Sequence, residues 1–308
     1  MLGRPVYFVD DDPARDAQAQ TALEAAARQV GFDEVHFQYE PIAAAFDYER
    51  SVSAEQIVLV ADIGGGTSDF SVVRVGPHRR ERLDRRNDIL ANHGVHAAGT
   101  DFDRHIELAS ILPHCGHKSL GPASRGRAPR EVPSRVYFDL ATWHLINTVY
   151  APQRVAELAR MRSFYADVRL HERLMRVVTQ RLGHALAAWA EQAKIHVADI
   201  ADGSKTHLPL DAIEAGLAVS LTQAQAIAAI EADMQRIVAA AHETLRQAGL
   251  ASRGIDVLYL TGGSTGLTPL AQALAAVCPS AQLVRGDRFA SVAQGLGLHA
   301  QRLFAPGH

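Results

Sequence analysis

Cysteine is scarce in this chain of 308 residues: Cys115 and Cys278 cannot build a disulfide framework, so a reducing, cytoplasmic setting is expected. Long hydrophobic runs are missing as well, and nothing approaches the ~20 apolar residues of a membrane span. The short apolar run 6–9 is followed at once by Asp10, Asp11 and Asp12, which excludes a secretory signal there. Charge of one sign is not in excess. A formal net charge of −3 argues against a general nucleic-acid or acidic-membrane partner. The hydrophobic content of 47% is ordinary for a globular chain and supplies a core for one large domain or two.

One segment carries most of the chemistry. Asp62-Ile63-Gly64-Gly65-Gly66-Thr67-Ser68-Asp69 lies between two β-type runs, 56–61 and 70–75. Its glycines permit positive φ and let backbone N–H groups approach a ligand closely. Thr67 adds a hydroxyl, while Asp62 and Asp69 bracket the turn with hard oxygen ligands suited to hydrated Mg²⁺. Amides, a hydroxyl and two carboxylates together suit a metal-bound polyphosphate. The alternative is a glycine-rich hairpin turn with solvated acids beside it.

Around this segment the pattern is α/β. A strand is expected over 5–9, then a helix from Asp12-Pro13 to Gln29-Val30 stopped by Gly31. A strand over 35–37 and an Ala-rich helix from Glu40-Pro41 to about Tyr48 follow. After the hairpin come a third antiparallel strand over 88–93 and a helix near Phe102 capped by Gly99-Thr100-Asp101. Residues 114–135, rich in Gly, Pro, Ser and Arg, read as a loop. Helices dominate 138–197, including a long one over 169–196, and a short strand is expected at 206–210. The helix 223–247 is capped by Leu221-Thr222 and closed by Gly249. The strand 255–261 ends in Gly262-Gly263-Ser264, and a helix 267–277, a strand 282–284 and a helix 289–303 complete the pattern. From residue 57 this order is that of an actin-like (ribonuclease H-like) lobe. The expected organisation is therefore an incomplete lobe over 1–56 and a complete lobe over 57–300 with a helical insertion at about 105–220. A C-terminal helix within 289–308 returns towards the first lobe.

With these segments placed, the chain resembles the nucleotide-binding domain of the DnaK-type heat-shock chaperone family. Gly3-Arg4-Pro5-Val6-Tyr7-Phe8 is similar to the family's VPAYF strand, and Tyr39-Glu40-Pro41-Ile42-Ala43-Ala44-Ala45 to its NEPTAAA segment. The run from Asp62 to Asp69 matches its second phosphate loop, DxGGGTxD. Ala98-Gly99-Thr100-Asp101-Phe102-Asp103 resembles LGGxDFD, and Ala190-Glu191-Gln192-Ala193-Lys194-Ile195 resembles AEKAKI. Leu260-Thr261-Gly262-Gly263-Ser264 resembles the adenosine loop. The opening residues and the run 289–296 look most like the YegD-type branch, whose members carry little or no peptide-binding domain. Two departures matter. The family's first phosphate loop and its catalytic lysine have no counterpart here, so a truncated or degenerate member with weak MgATP binding and little turnover is expected. Gly266 stands where the family has an adenine-stacking arginine.

The resemblance implies ATP or ADP and Mg²⁺ as cofactors, and client proteins or co-chaperones as partners. It assigns Asp62 and Asp69 to Mg²⁺ through its waters, and Gly64, Gly65, Gly66 and Thr67 to the phosphates. Glu40 is assigned to polarise the attacking water or to link the site to the lobe hinge, the alternative being simply an acid favoured at a helix N-terminus. Glu191 and Lys194, three apart on one helix, together with Gly262, Gly263 and Ser264, are assigned to the adenosine. Alone, the first two would be a solvated ion pair and the glycines a tight βα turn. Gly99 and Asp101 are read as structural. His114-Cys115-Gly116-His117 lacks a second cluster at zinc spacing and is set aside. Arg79, Arg80, Arg82, Arg85 and Arg86, with Arg125, Arg127 and Arg130, are read as solvated loop. The competing functions are a non-catalytic actin-fold remnant acting as a protein-interaction module, and a sugar or acid kinase of the same fold.

Overall fold

A hairpin of two apolar strands on either side of the glycine turn organises the fold. In a computed structural model of the chain, residues 1–9, 12–80, 82–123, 128–199, 205–287 and 290–304 are described. The first elements are β1 (Leu2–Arg4), α1 (Pro13–Gln29), β2 (Phe37–Tyr39), α2 (Glu40–Glu49), β3 (Gln56–Ile63), β4 (Ser68–Val75) and β5 (Ile89–Val95). Helices α3 (Gly99–Ile106), α4 (Arg135–Ala141), α5 (Ile146–Val149), α6 (Pro152–Arg160), α7 (Val168–Thr179) and α8 (Gly183–Asp199) follow. The chain continues with β6 (Lys205–Pro209), β7 (Ala218–Thr222), α9 (Gln223–Gln247), β8 (Val257–Thr261), α10 (Thr268–Val277), β9 (Gln282–Arg285) and α11 (Ser291–Leu303). These elements fall into two compact units, residues 1–98 with 235–308, and residues 99–234.

The first unit is built on a five-stranded sheet of order β5-β4-β3-β8-β9. β3 pairs antiparallel with β4 and parallel with β8, so it sits at the centre. Central strands read as continuous apolar runs, and Val58, Leu59, Val60 and Ala61 are all buried. Alternate residues of the sheet, Val58, Val60, Val73 and Val75, meet Ile42, Ala43, Ala44, Ala45 and Phe46 of α2. Burial of Ile42 and Phe46, each 1% exposed, contributes about 1.5–3 kcal/mol apiece. α11 closes over α2 so tightly that a Cβ on Gly295 would lie 1.9 Å from Ala43 O; only glycine admits that approach.

Three expectations for this unit are corrected. Residues 5–9 are not a strand: β1 pairs with β2 only from Leu2 to Arg4, and Pro5, having no N–H, ends the ladder. The segment is held by side chains instead. Arg4 donates to the carbonyls of Pro5 and Val6 and pairs with Asp16 at 2.8 Å, while Asp16 accepts from Phe8 N. The second strand lies at Phe37–Tyr39 rather than 35–37. The arginine stretch is not simply solvated. Arg85 is 2% exposed, donates to both Glu49 oxygens at 2.8 and 3.0 Å and pairs with Asp88, which also takes Arg79. Asp10, Asp11, Arg125, Arg127 and Phe289 lie outside the described residues.

The second unit is mainly helical, with β6 and β7 as a two-stranded antiparallel hairpin. The strand at Ala218–Thr222 had no counterpart in the expected pattern. Phe102, Ile106, Ile111, Tyr137, Leu140, Val177 and Leu186 are buried in it. The long helix expected over 169–196 is two helices. Arg181 takes φ +55° between them, and a Cβ on Gly183 would meet Ile146 Cγ2 and Tyr150 Oη at 2.6 Å. Gly99, Thr100 and Asp101 form the first turn of α3 rather than a cap before it. At the end of α3 the helix widens into a π-turn over Glu107–Ile111. His117 Nδ1 lies 2.9 Å from Leu108 O, and burial pushes the Cys115 thiol up to about 12, which makes it unreactive.

Candidate functional site

Asp62 and Asp69 are directly opposed in the β3–β4 register, the last acidic pair before the glycine turn. Opposed residues of an antiparallel pair project to one face. Asp62 continues the Val58–Val60 row, so that face is the one covered by α2. Glu40, the first residue of α2, joins the two aspartates there. A cavity of about 600 Å³ opens at this place, lined by Val6, Phe8, Glu40, Asp62, Thr67, Asp69, Ser71, Asn92, Gly94 and Arg236. A helix N-terminus with a nearby glycine turn favours bound anions.

The turn is shaped by its own hydrogen bonds. Gly64 N donates to Thr67 O at 3.0 Å, and Thr67 Oγ1 donates to Asp69 Oδ2 at 2.8 Å. Gly65, Gly66, Thr67 and Asp69 are exposed, which leaves this rim open to a ligand. The second glycine loop lies beside the first because β8 runs parallel to β3, with Thr261 opposite Asp62. Ser264 Oγ donates to Gly64 O at 2.9 Å. Gly262 has φ +85°, and a Cβ there would sit 2.4 Å from Ile63 O and 2.6 Å from Asp62 Oδ1. Gly263 and Gly266 bound the short turn that follows, and Gly266 offers no stacking group.

The electrostatics are lopsided. Burial, and after it the Asp69 charge, push the Asp62 carboxyl up to about 6. Burial, then Asp62 and Asp69, hold Glu40 above the ordinary glutamate range. Among the described residues lining the cavity the only lysine or arginine is Arg236, which donates to His96 O at 3.1 Å. Excess negative charge facing a cavity is what a divalent cation relieves. Among the described residues no three His, Cys, Asp or Glu side chains converge as direct metal ligands. The donor set therefore fits Mg²⁺ retained through its waters rather than a closed inner-sphere site.

Of the residues assigned from sequence, Glu40, Asp62, Gly64, Gly65, Gly66, Thr67, Asp69, Gly262, Gly263 and Ser264 belong to the first unit. Glu191 and Lys194 belong to the second, where Lys194 Nζ is bound to Asp103 at 2.8 Å and donates to Gly99 O. Sequence reasoning missed Ser71, Asn92, Gly94 and Arg236. The first two form a cross-strand pair, with Ser71 Oγ donating to Asn92 Oδ1 at 2.7 Å. The strand alternation Asp69, Ser71, Val73 contained that signal.

Residues 14–107 match the family model described as MreB/Mbl protein. This match spans α1, the hairpin with its glycine turn and the third antiparallel strand. The fold is actin-like. The actin-like chain is also similar to chaperones of the heat-shock 70 kDa type. It is 28% identical over 300 residues to the chaperone protein HscA homolog of Bordetella petrii, covering 97% of this chain and 36% of the relative. Over 110 residues it is 37% identical to the chaperone protein DnaK of Prochlorococcus marinus, covering 35% of this chain and 15% of that protein. Over 102 residues it is 34% identical to the chloroplastic heat shock 70 kDa protein 6 of Arabidopsis thaliana, covering 33% and 12%. The chain thus spans about a third of the length of the HscA homologue, and the shorter matches span less. Among the described residues no helix is long and apolar enough to cross a membrane.

Proposed function

We propose that this chain is the ATP-binding part of a DnaK-like chaperone ATPase of the YegD type, holding MgATP at the DxGGGTxD turn. The observation that carries the reading is the convergence of Asp62, Asp69 and Glu40 on one cavity beside an exposed glycine turn. In this reading Asp62 and Asp69 hold the waters of Mg²⁺, which when bound offsets charge on the phosphates. The amides of Gly64 to Gly66 and the Thr67 hydroxyl donate to the β- and γ-phosphates, as fixed dipoles that need little reorganisation. Glu40 orients a water for attack on the γ-phosphate and accepts its proton; burial holds its pKa above the ordinary glutamate range, which makes it a better proton acceptor than a solvated glutamate. Gly262, Gly263 and Ser264 lie against the nucleoside. The adenosine roles of Glu191 and Lys194 rest on the 190–195 motif.

Turnover is expected to be slow. Among the described residues no lysine lines the cavity to stabilise the transferring phosphoryl group. Client proteins or co-chaperones enter only through the likeness to chaperones. The decisive experiment is the unfolding midpoint with and without excess MgATP, beside Asp62→Ala. Ligand at a hundred times its dissociation constant adds about 2.7 kcal/mol, a clear upward shift. Absence of a shift in a cooperatively folding protein would overturn nucleotide binding and favour the non-catalytic interaction module.

A further inference from the structure

The second unit holds a cavity of its own, about 390 Å³, of whose lining the nucleotide reading uses only Glu191. Glu107 lines it, at the first position of the π-turn where α3 ends. The residue is fully buried, and both carboxyl oxygens lack a hydrogen-bond partner among the described residues. A buried carboxyl in that condition costs several kcal/mol whether ionised or protonated, because an acid proton would equally need an acceptor. Natural chains remove such groups unless they serve a purpose. π-turns recur at functional sites because the extra residue in the turn re-aims a side chain.

The rest of the wall defines the missing partner. Asp103 and Glu191 add carboxylates, and Asp103 is already engaged by Lys194. Trp143, 65% exposed, stands at the rim and offers an indole face. Arg104 also lines the cavity, with Nε buried and unpartnered, and it makes no ion pair with Glu107. The two oxygens of a buried carboxylate match the fork of a guanidinium better than a single-point ammonium. A neighbouring indole face adds cation–π attraction. Among the described residues no metal-binding cluster is formed, which disfavours a bare cation.

We propose that the cavity in residues 99–234 binds a small guanidinium compound, with Glu107 as the bidentate acceptor and Trp143 as the stacking face. Burial and, after it, the Asp103 charge raise the Glu107 pKa well above the ordinary range, as expected of a carboxyl lacking its counter-charge.

Calorimetric titration of the full chain tests this with three probes: agmatine, putrescine as the amine without a guanidinium, and MgCl₂ alone. Agmatine should bind saturably and putrescine much more weakly. Glu107→Gln, which keeps the shape, should weaken agmatine about thirtyfold or more. Its unfolding midpoint without ligand should be no lower than that of the parent, because glutamine keeps the shape and leaves no group to ionise in the buried position. Trp143→Ala, at an exposed position, should weaken agmatine severalfold with the midpoint unchanged. Saturable agmatine binding that survives Glu107→Gln would overturn the assignment. So would equal binding of putrescine, Glu107-dependent binding of Mg²⁺ alone, or no binding of any probe.

Discussion

Asp62 is held where its own charge is unfavourable, and that has a measurable signature. An aspartate titrating ordinarily near 3.8 titrates here at about 6. Between those values the folded chain keeps a proton that the unfolded chain has lost. This group's contribution to stability is therefore full below pH 3.8 and is lost as pH rises to about 6. Asp62→Asn should flatten that decline and raise the ligand-free unfolding midpoint above pH 6, while abolishing the MgATP shift; midpoints of both proteins across this range check the sign. Gly94 provides a second test at the same carboxylate pair. A Cβ at Gly94 would lie 2.6 Å from Asp69 Oδ1, and the exposed Asp69 side chain can swing away cheaply. Gly94→Ala should leave the unfolding midpoint nearly unchanged yet weaken MgATP about tenfold by titration. An unaltered affinity would remove Asp69 from the proposed metal site. The glycine turn and its acids were legible in the sequence because their chemistry is local. Gly94 was not, since its meaning depends on which residue β4 places opposite it.

At the scale of elements, what could be read followed periodicity and punctuation. Pro13 and Gly31 bounded α1 correctly, with Asp12 accepting from Arg15 N at the start. The strand read over 255–261 became β8, Val257–Thr261. What could not be read were the places where tertiary partners decide. The break between α7 and α8 lies at Arg181, a residue with no visible breaker character, and is fixed by packing of Gly183 on Ile146 and Tyr150. Glu107 was not singled out in the sequence, although its place inside the run Ile106-Glu107-Leu108-Ala109-Ser110-Ile111-Leu112 was a clue. Arg79 and Arg85 were misread because two of their acidic partners, Glu55 and Glu49, lie far back in sequence. That network ties the end of α2 to the loop after β4. Arg85→Met should cost about 3–5 kcal/mol in denaturant unfolding, because Glu49 is left buried without its counter-charge. Adding Glu49→Leu should recover much of the loss; strict additivity would deny the coupling.

For the whole molecule, the cavity's charge balance makes nucleotide binding conditional. Three carboxylates face the proposed phosphate position, so free ATP is repelled where MgATP is attracted. Thermal unfolding with ATP plus excess EDTA should therefore show no upward shift, and a shift equal to that with MgATP would count against a metal role for Asp62 and Asp69. The first unit is also discontinuous, and this bears on how it is made. β3 leaves the ribosome with β4 available at once, but its other neighbour, β8, pairs Val58 with Val257. At roughly 5–20 residues per second, the roughly two hundred intervening residues take on the order of ten to forty seconds to synthesise. Throughout that interval an apolar strand edge has nothing native to pair with, and α2 lacks the α11 that will cover it. A nascent chain stalled before residue 257 should be sticky and protease-sensitive, and the newborn protein should itself be a customer for the holding factors of the cell.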